Sequence, residues 1–241
     1  MKLVIDTKET INKVVADEFI KVINSKEHPV IGLATGSTPL GVYAELAKAV
    51  KEARVSFKKV HSFNLDEYVG LPITHPESYY AFMHRNLFNL IDIPEENTHV
   101  PSGLGDLEAG AKKYDEMIDA SPVDCQILGI GSAGHIAFNE PGTAFDAPTH
   151  VTDLAESTIK DNARFFDFDM SKVPTQAVTQ GTGTIMKAKN IIIICTGANK
   201  ANAVKAMLEG PIDVNCPASI LQKHDSVTVV LDEAAAALLT K

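Results

Sequence analysis

Short apolar runs alternate along the chain with longer segments whose apolar residues recur every three or four positions. Short runs without inside–outside alternation are typical of buried parallel strands, and the three-to-four spacing is typical of helices. The predicted strands are 29–35, 59–65, 124–130, 190–196 and 226–232. The predicted helices are 40–50, 77–91, 107–119 and 197–210, with an alanine-rich tail helix after the last strand. This order predicts one α/β domain over residues 1–241, a doubly wound, mostly parallel sheet with helices on both faces.

Residues 143–180 depart from this pattern, because they are polar, only weakly periodic and contain the aromatic pair Phe165 and Phe166. Such a segment is typical of a mobile lid over a site. A surface excursion with a short helix explains the composition equally well, so both interpretations stay open. No repeat or linker interrupts the rest of the chain.

The charge balance narrows the classes of partner. The chain has 22 Lys and Arg against 31 Asp and Glu, a formal net charge of −9, and no block of basic residues. This argues against a nucleic-acid partner, whose phosphates require clustered cations. A small anionic substrate is compatible with this charge if a few local cations or helix ends bind it.

Cysteines, histidines and hydropathy add further expectations. The cysteines form no CxxC pair, and Cys125 and Cys195 lie in apolar runs, so buried reduced thiols are expected. The histidines form no HxH or HxxxH pair, so no metal ion is expected. The first residues lack the apolar core of a signal peptide, and the longest apolar run is too short to span a bilayer. We therefore expect a cytoplasmic protein without a membrane partner.

In open parallel sheets ligands bind beyond the carboxyl ends of the strands, so polar residues that directly follow a strand are site candidates. The stretch LATGSTP (33–39) follows the first predicted strand and offers backbone N–H groups and three hydroxyls at a helix start. Such a loop suits a phosphate group, although it lacks the GK[ST] ending of a P-loop. An ordinary helix cap by serine or threonine is an equal alternative.

The stretch FNLDEYVG (63–70) places Asp66 and Glu67 side by side at the end of the next strand. Successive side chains on a strand point to opposite faces, so only one of the two is expected to enter a site. A carboxylate there is a candidate general base. Without other observations, a solvated turn is the favoured alternative.

The stretch GIGSAGHIAFNEPG (129–142) matches the dinucleotide fingerprint G-x-G-x-x-G in its first six positions. That fingerprint has to open a helix whose N-terminus receives the pyrophosphate. Here the Asn-Glu-Pro-Gly sequence at 139–142 would end any helix within two turns, so we reject a nicotinamide site. The glycines instead allow a tight turn that presents His135 and Glu140 as a proton-transfer pair. A histidine that only caps or packs is the weaker alternative.

Two cationic side chains are the remaining candidates for the site. Arg164 lies in the polar segment, and Lys200 follows the strand predicted at 190–196. Both side chains suit a phosphate group. A lone arginine or lysine is more often a solvated surface charge, so neither is informative alone.

Six stretches taken together resemble the glucosamine-6-phosphate deaminase (isomerising) family: LATGSTPLGVY, NLDEYVGL, HPESYYAFM, GHIAFNEPGT, ARFF and PASIL. They run in order from about residue 30 to residue 221, and the joint occurrence of NLDEYVGL and GHIAFNEPG is highly specific. The resemblance implies a Rossmann-like fold and a cytoplasmic enzyme of amino-sugar catabolism. It implies that glucosamine 6-phosphate and water become fructose 6-phosphate and ammonia, without an organic cofactor.

The resemblance also implies a role for each candidate. Asp66 corresponds to the base that moves a proton from C2 to C1 of the opened sugar. His135 corresponds to the catalyst of ring opening, and Glu140 to the carboxylate that orients this histidine. Residues near 151–175 correspond to the lid. The residues that correspond to the phosphate grip are Thr35, Gly36, Ser37, Thr38, Arg164 and Lys200.

Ala133 departs from the family pattern, which has Asp or Asn two residues before the histidine. Alanine has no side-chain hydrogen-bonding group, so His135 would lose an orienting partner, at a cost on the order of 10²-fold in rate. Asp66 is unaffected, so chemistry on the spontaneously opened sugar would survive. The chain is then either a deaminase with slower ring opening, helped by water or Ser132, or an impaired version that still binds substrate.

Two rival functions stay open. A 6-phosphogluconolactonase resembles the same fold and phosphate loop but needs no base at C2, so NLDEY and FNEPG favour the deaminase. A sugar-phosphate-binding regulatory protein without turnover is supported by Ala133 alone. The short stretch after the last strand weakly favours a monomeric, non-allosteric enzyme over a homo-oligomer.

Overall fold

Most strands of the molecule join one parallel sheet. A computed structural model describes residues 1–240. Its strands are β1 (Lys2–Ile5), β2 (Val30–Leu33), β3 (His61–Asn64), β4 (Asp66–Tyr68), β5 (Thr98–His99), β6 (Cys125–Gly129), β7 (His150–Asp153), β8 (Gln176–Thr179), β9 (Ile191–Cys195) and β10 (Val227–Leu231). Seven of them form a parallel sheet in the order β1-β10-β9-β6-β2-β3-β5. All the strands predicted from the sequence are present, and the mostly parallel α/β fold is confirmed.

Helices surround this sheet, and four of them begin at a capping side chain. They are α1 (Lys8–Asn24), α2 (Leu40–Lys51), α3 (Tyr79–Asn86), α4 (Leu107–Ala120), α5 (Glu156–Asn162), α6 (Thr182–Ile185), α7 (Ala201–Glu209) and α8 (Glu233–Ala236). Thr7, Ser78, Asp106 and Asp232 each accept a hydrogen bond from the backbone N–H three residues later. The predicted helices correspond to α2, α3, α4 and α7, and the tail helix to the short α8. Within residues 1–240 no helix combines the length and the apolar composition that a bilayer span requires.

The chain winds outward from the middle of the sheet in both directions. From β2 it continues to β3 and β5 on one side, and from β6 it continues to β9 and β10 on the other. The strand order therefore reverses between β2 and β6, as in a doubly wound sheet. A crevice forms at the carboxyl ends of two such strands, and ligands of this fold class bind there.

The main core lies against the central strands. Both β2 and β9 are buried along their whole length, as expected for strands that are covered on both faces. Tyr43 and Leu46 from α2, together with Val204 and Met207 from α7, are completely buried in the same cluster. Burial of each such side chain contributes about 1.5–3 kcal/mol.

The polar segment 143–180 belongs to a second, smaller sheet. Strands β4, β8 and β7 pair antiparallel in that order, and α5 lies between β7 and β8 in the chain. This unit has its own hydrophobic cluster, whose buried members are Tyr68, Phe138, Leu154, Ala163, Phe166, Val173 and Ala177. The sequence pattern does not predict the second sheet, because β4 has only three residues and two of them are acidic.

Candidate active site

The crevice at the ends of β2 and β6 is a cleft of about 180 Å³. Its walls come from the loops after β2, β6 and β9, from β4, and from the segment that contains α5. The predicted site residues that line it are Thr35, Gly36, Ser37, Thr38, Asp66, His135, Arg164 and Lys200. Glu140 stands behind His135, and Ala133 is exposed outside the lining.

The loop after β2 leads directly into α2. Gly36 has a φ of +86°, a left-handed conformation that favours glycine. Tyr43 fixes the first residue of the loop, since its hydroxyl donates to Ala34 O at 2.5 Å and accepts from Ala34 N at 3.1 Å. Burial raises the pKa of Tyr43 far above its usual range, so this hydroxyl stays protonated and able to donate. The loop thus holds its hydroxyls and N–H groups at the start of a 12-residue helix, where an anion is favoured.

Two cations share the cleft with this loop. Lys200 ends a 3₁₀ turn after β9 and directly precedes α7. Burial lowers the pKa of Lys200, while the nearby Asp161 carboxylate acts in the opposite direction. Arg164 lies in the turn after α5, with its guanidinium carbon 4.7 Å from the centroid of the Phe165 ring. Two positive charges and a donor-rich loop therefore meet in one cleft, an arrangement that suits a phosphate group.

Asp66 lies on β4 and is only 6% exposed. Burial, together with the like charge of Glu67, raises the pKa of Asp66 to about 8. A carboxyl group whose pKa lies near neutral pH is suited to take up a proton and return it. The alternative interpretation of this stretch as a solvated turn is wrong, because both carboxyl groups are buried.

Glu67 does not line the cleft, as the alternation along a strand predicts. Its carboxylate accepts backbone N–H groups from Tyr68 at 2.8 Å, Tyr79 at 2.8 Å and Tyr80 at 3.0 Å. Because Tyr79 and Tyr80 are the first residues of α3, Glu67 satisfies donors that a helix start leaves free. Of the two adjacent acids, Glu67 fixes the local backbone and Asp66 faces the cleft.

His135 lies in the glycine-rich loop after β6, where no long helix begins. Its imidazole packs directly against Gly131, since a Cβ atom at that position would lie 2.2 Å from both Cε1 and Nε2 of the ring. Gly134 has a φ of +82°, and the Gly131 N–H donates to His135 O at 2.9 Å. Gly131 therefore leaves the space that the imidazole fills, and the long helix that a dinucleotide fingerprint has to open does not follow.

Glu140 connects His135 to the segment above the cleft. Its Oε2 lies 3.2 Å from His135 Nδ1, and its Oε1 accepts a hydrogen bond from Thr158 Oγ1 at 2.5 Å. Burial acts to raise the pKa of Glu140, but the contacts with His135 and Thr158 outweigh it and hold the pKa below its usual range. An ionised Glu140 favours the tautomer of His135 that carries its proton on Nδ1, which leaves Nε2 as the acceptor.

Several lining residues carry no obvious signal when each is taken alone. Tyr79 reaches the cleft from α3, and Thr158, Asp161, Asn162 and Phe165 reach it from α5 and the turn that follows. The last four are spaced by three, one and three positions, which places them on one face of a helix. The sequence analysis did not identify them, because this spacing is hard to recognise in a polar segment that is only weakly periodic.

Two of the three cysteines lie inside the main core. Cys125 and Cys195 are buried, as predicted, and burial raises the pKa of both thiols to about 12. Such thiols are protonated and unreactive at neutral pH. In residues 1–240 no group of three or more His, Cys, Asp and Glu side chains is arranged to hold a metal ion.

Comparison with known sequences gives strong matches. The family described as glucosamine-6-phosphate isomerases/6-phosphogluconolactonase matches residues 6–230. A glucosamine-6-phosphate deaminase of Clostridium perfringens (strain 13 / Type A) is 49% identical over 242 residues, which cover 99% of this chain and 100% of the relative. The deaminase of Thermoanaerobacter sp. (strain X514) is 46% identical, over 99% of this chain and 95% of its own.

Comparison with solved structures agrees. A monomeric glucosamine-6-phosphate deaminase has a TM-score of 0.97 at 40% identity, over 99% of this chain and 100% of its own. A 6-phosphogluconolactonase from Trypanosoma cruzi has a TM-score of 0.78 at 22% identity, over 100% of this chain and 97% of its own. The second likeness is one of fold alone.

Proposed function

Because the chain belongs to the family of glucosamine-6-phosphate isomerases and 6-phosphogluconolactonases, we propose that it deaminates glucosamine 6-phosphate. Water and the amino sugar become fructose 6-phosphate and ammonia. One observation carries the proposal: a single cleft brings together a buried carboxyl group with a pKa of about 8, a histidine backed by a glutamate, and a cationic, donor-rich loop.

Substrate binding is assigned to the phosphate end of the cleft. The loop Thr35–Thr38 offers hydroxyl and N–H donors, and Arg164 and Lys200 supply positive charge. These groups would compensate locally for the net charge of −9, which alone would repel an anionic sugar phosphate. We assign residues 151–175 as the lid over this end, because Arg164 belongs to that segment.

Ring opening is assigned to His135. The imidazole accepts the proton of the anomeric hydroxyl and delivers it to the ring oxygen, so the C1–O5 bond breaks and the aldehyde forms. The imidazolium that exists between these two transfers is stabilised by Glu140, whose carboxylate lies 3.2 Å from Nδ1. Glu140 thus acts through His135 and has no need to touch the sugar.

Isomerisation is assigned to Asp66. Its ionised carboxylate removes the proton from C2 and then returns a proton to C1, which moves the carbonyl oxidation level from C1 to C2. The resulting iminium at C2 adds water and releases ammonia, which leaves the ketose. The substrate ammonium at C2 is an opposite charge beside Asp66 and would favour the ionised base that the free site disfavours.

The lactonase alternative lacks a use for Asp66. Hydrolysis of a sugar lactone breaks an ester bond and requires no proton transfer from carbon. A lactonase would therefore have no use for a buried aspartate whose pKa is raised to about 8. The regulatory alternative depends on Ala133, which is exposed, while the close approach of His135 and Glu140 is intact.

The same proposal covers the setting of the enzyme. We infer a single-domain, monomeric enzyme that acts in the cytoplasm on a free sugar phosphate, without a nucleic-acid partner. The acidic charge balance supports the last point.

The test is an assay that follows fructose 6-phosphate and ammonium together from glucosamine 6-phosphate. We expect equal release of both products, and a loss of at least about 10²-fold in kcat in Asp66→Asn, which cannot accept the proton. Asp225→Asn, at an exposed position outside the cleft, is the matched control and is expected to be fully active.

Absence of both products from the unmodified chain would be followed by the same assay on Ala133→Asp and Ala133→Asn. Recovery in either variant would locate the defect at ring opening. Continued inactivity with retained substrate binding would refute the deaminase and favour the regulatory protein.

A further inference from the structure

Thr158 is the point at which α5 meets the histidine pair. It is 5% exposed, and its hydroxyl donates to Glu140 Oε1 at 2.5 Å. The other oxygen of the same carboxylate lies 3.2 Å from His135 Nδ1. A single carboxylate therefore joins a side chain of the lid to the imidazole on the floor of the cleft.

The position of Thr158 is set by the hydrophobic cluster of the second sheet, in which the lid segment packs against Tyr68 and Phe138. Leu154 precedes α5, Ala163 and Phe166 follow it, and all three are buried in that cluster. The helix therefore cannot shift without moving the hydroxyl relative to Glu140. The carboxylate in turn depends on the hydroxyl, because the terminal torsion of a glutamate is broad and needs a partner to fix it.

We propose that Thr158 is a positioning residue that makes ring opening depend on the closed lid. With α5 in place, its hydroxyl holds Oε1, which turns Oε2 toward His135 Nδ1 and fixes the tautomer and the orientation of the imidazole. With α5 displaced, Glu140 loses this donor and His135 loses its orienting partner. The cleft would then open sugar rings only when the lid covers the substrate. This inference rests on the function proposed above.

The bond also has an electrostatic consequence. A hydroxyl that donates to a carboxylate favours its ionised form, and Thr158 is one of the contacts that hold the pKa of Glu140 down. Without the donor the pKa of Glu140 rises. Any step that needs ionised Glu140 is then lost at a higher pH as the solution is acidified.

The experiment compares three variants of α5. Thr158→Val keeps the shape and removes the donor, and Thr158→Ser keeps the donor and removes the methyl group. Ser157→Ala deletes a neighbouring exposed hydroxyl on the same helix and is the matched control. Each variant is assayed for kcat and KM on glucosamine 6-phosphate as a function of pH. An open-chain amino-alcohol phosphate, which needs no ring opening, is used to measure binding alone.

We expect Thr158→Val to lower kcat by about 10-fold, a part of what an oriented acid–base group contributes. KM and the affinity for the open-chain phosphate should change less than about 2-fold, and the acidic limb of the kcat profile should move to higher pH. Thr158→Ser and Ser157→Ala should behave as the unmodified chain does.

Three outcomes would overturn the proposal. A rise in KM with unchanged kcat would mean that Thr158 contacts the substrate directly. Equal losses in Thr158→Val and Thr158→Ser would assign the effect to methyl packing. If kcat, KM and the pH profile of Thr158→Val match those of Ser157→Ala, Thr158 has no positioning role.

A measurement without turnover separates this proposal from the proposed function. Nitrogen-15 NMR of the histidine side chains, with the His135 signals assigned through His135→Gln, reports which ring nitrogen carries the proton. We expect protonation on Nδ1 in the unmodified chain and a mixed tautomer population in Thr158→Val. If the Thr158→Val spectrum is unchanged, the positioning role is refuted, whether or not the chain is a deaminase. If the spectrum changes but the unmodified chain is inactive, the positioning role stands and only the deaminase function is refuted.

Discussion

The floor of the cleft and the segment 151–175, which we propose as the lid, hold their side chains in different ways. On the floor, Asp66 lies on β4 and is 6% exposed, and His135 lies in the loop after β6 with its side chain 20% exposed. On the lid, Arg164 is exposed and lies in the turn after a seven-residue helix. Groups that exchange protons require fixed positions, which packing against a sheet provides, and for Asp66 burial also raises the pKa. A group that attracts a phosphate through its charge tolerates more solvent and more freedom.

The largest effect is expected on the floor, from Gly131→Ala. The new methyl group would lie 2.2 Å from Cε1 and Nε2 of His135, so the imidazole has to leave its place. We expect kcat to fall by about 10²-fold or more, as for removal of a general acid–base group. The measurement is kcat on glucosamine 6-phosphate, with circular dichroism to establish that the variant is folded.

Gly110→Ala is the matched control for this change. An added Cβ at Gly110 in α4 meets no atom within 4 Å, so the substitution should leave kcat unchanged and add about 0.5–1 kcal/mol of stability. Full activity in Gly131→Ala would show that the imidazole is not required where the structure places it.

A smaller effect of a different kind is expected on the lid, from Arg164→Ala. Losing a charged donor to the phosphate should raise KM by about 10-fold and leave kcat within a few-fold. Steady-state kinetics at low and high salt measure this, and added salt should shrink the difference between the variant and the unmodified chain. Lys160→Ala, at an exposed position of α5 outside the cleft lining, is the control. A fall in kcat at constant KM would mean that Arg164 acts in the chemical steps rather than in binding. It would contradict the division between a catalytic floor and a binding lid.

The smallest effect concerns stability and Asp66. Its pKa is about 8 in the folded chain and 3.8 in an exposed aspartate, so between these pH values the folded state binds a proton that the unfolded state has lost. Stability contributed by this group therefore falls as pH rises through that window. Asp66→Asn removes the loss, and at about pH 8 we expect it to be more stable than the unmodified chain by about 1–2 kcal/mol.

Urea unfolding at several pH values from about 4 to about 8 measures this difference. The gain should shrink to less than about 1 kcal/mol near the lower limit, where the unfolded state also begins to bind the proton. Asp225→Asn, at an exposed position, should show no such pH-dependent gain. A gain that did not depend on pH would contradict the raised pKa.

The floor is the part that sequence reasoning could predict. Buried parallel strands can be recognised in the sequence as short apolar runs. Because ligands bind at the carboxyl ends of such strands, this selects the loop at 33–39 and the pair His135 and Glu140. The same logic predicted that Asp66 and Glu67 would diverge. The family resemblance was needed to assign chemical roles, because alternation and spacing alone left capping and packing as alternatives.

The lid was harder because its determinants are short and polar. The antiparallel sheet depends on pairing between β4, β8 and β7, and three- and four-residue strands carry too little periodicity to be recognised. Thr158 is one hydroxyl among many in the segment, and only its distance to Glu140 distinguishes it. Such a contact joins residues far apart in the chain, which a local pattern does not encode.

The pairing at the edge of the main sheet also has a consequence for synthesis. Among residues 1–240, β1 pairs with β10 alone, with Lys2 opposite Thr228 and Ile5 opposite Leu231. A ribosome therefore adds every residue between these two strands before the partner of β1 exists. Until then the apolar Leu3 and Ile5 have no strand beside them, and this long-range closure should be among the last events of folding.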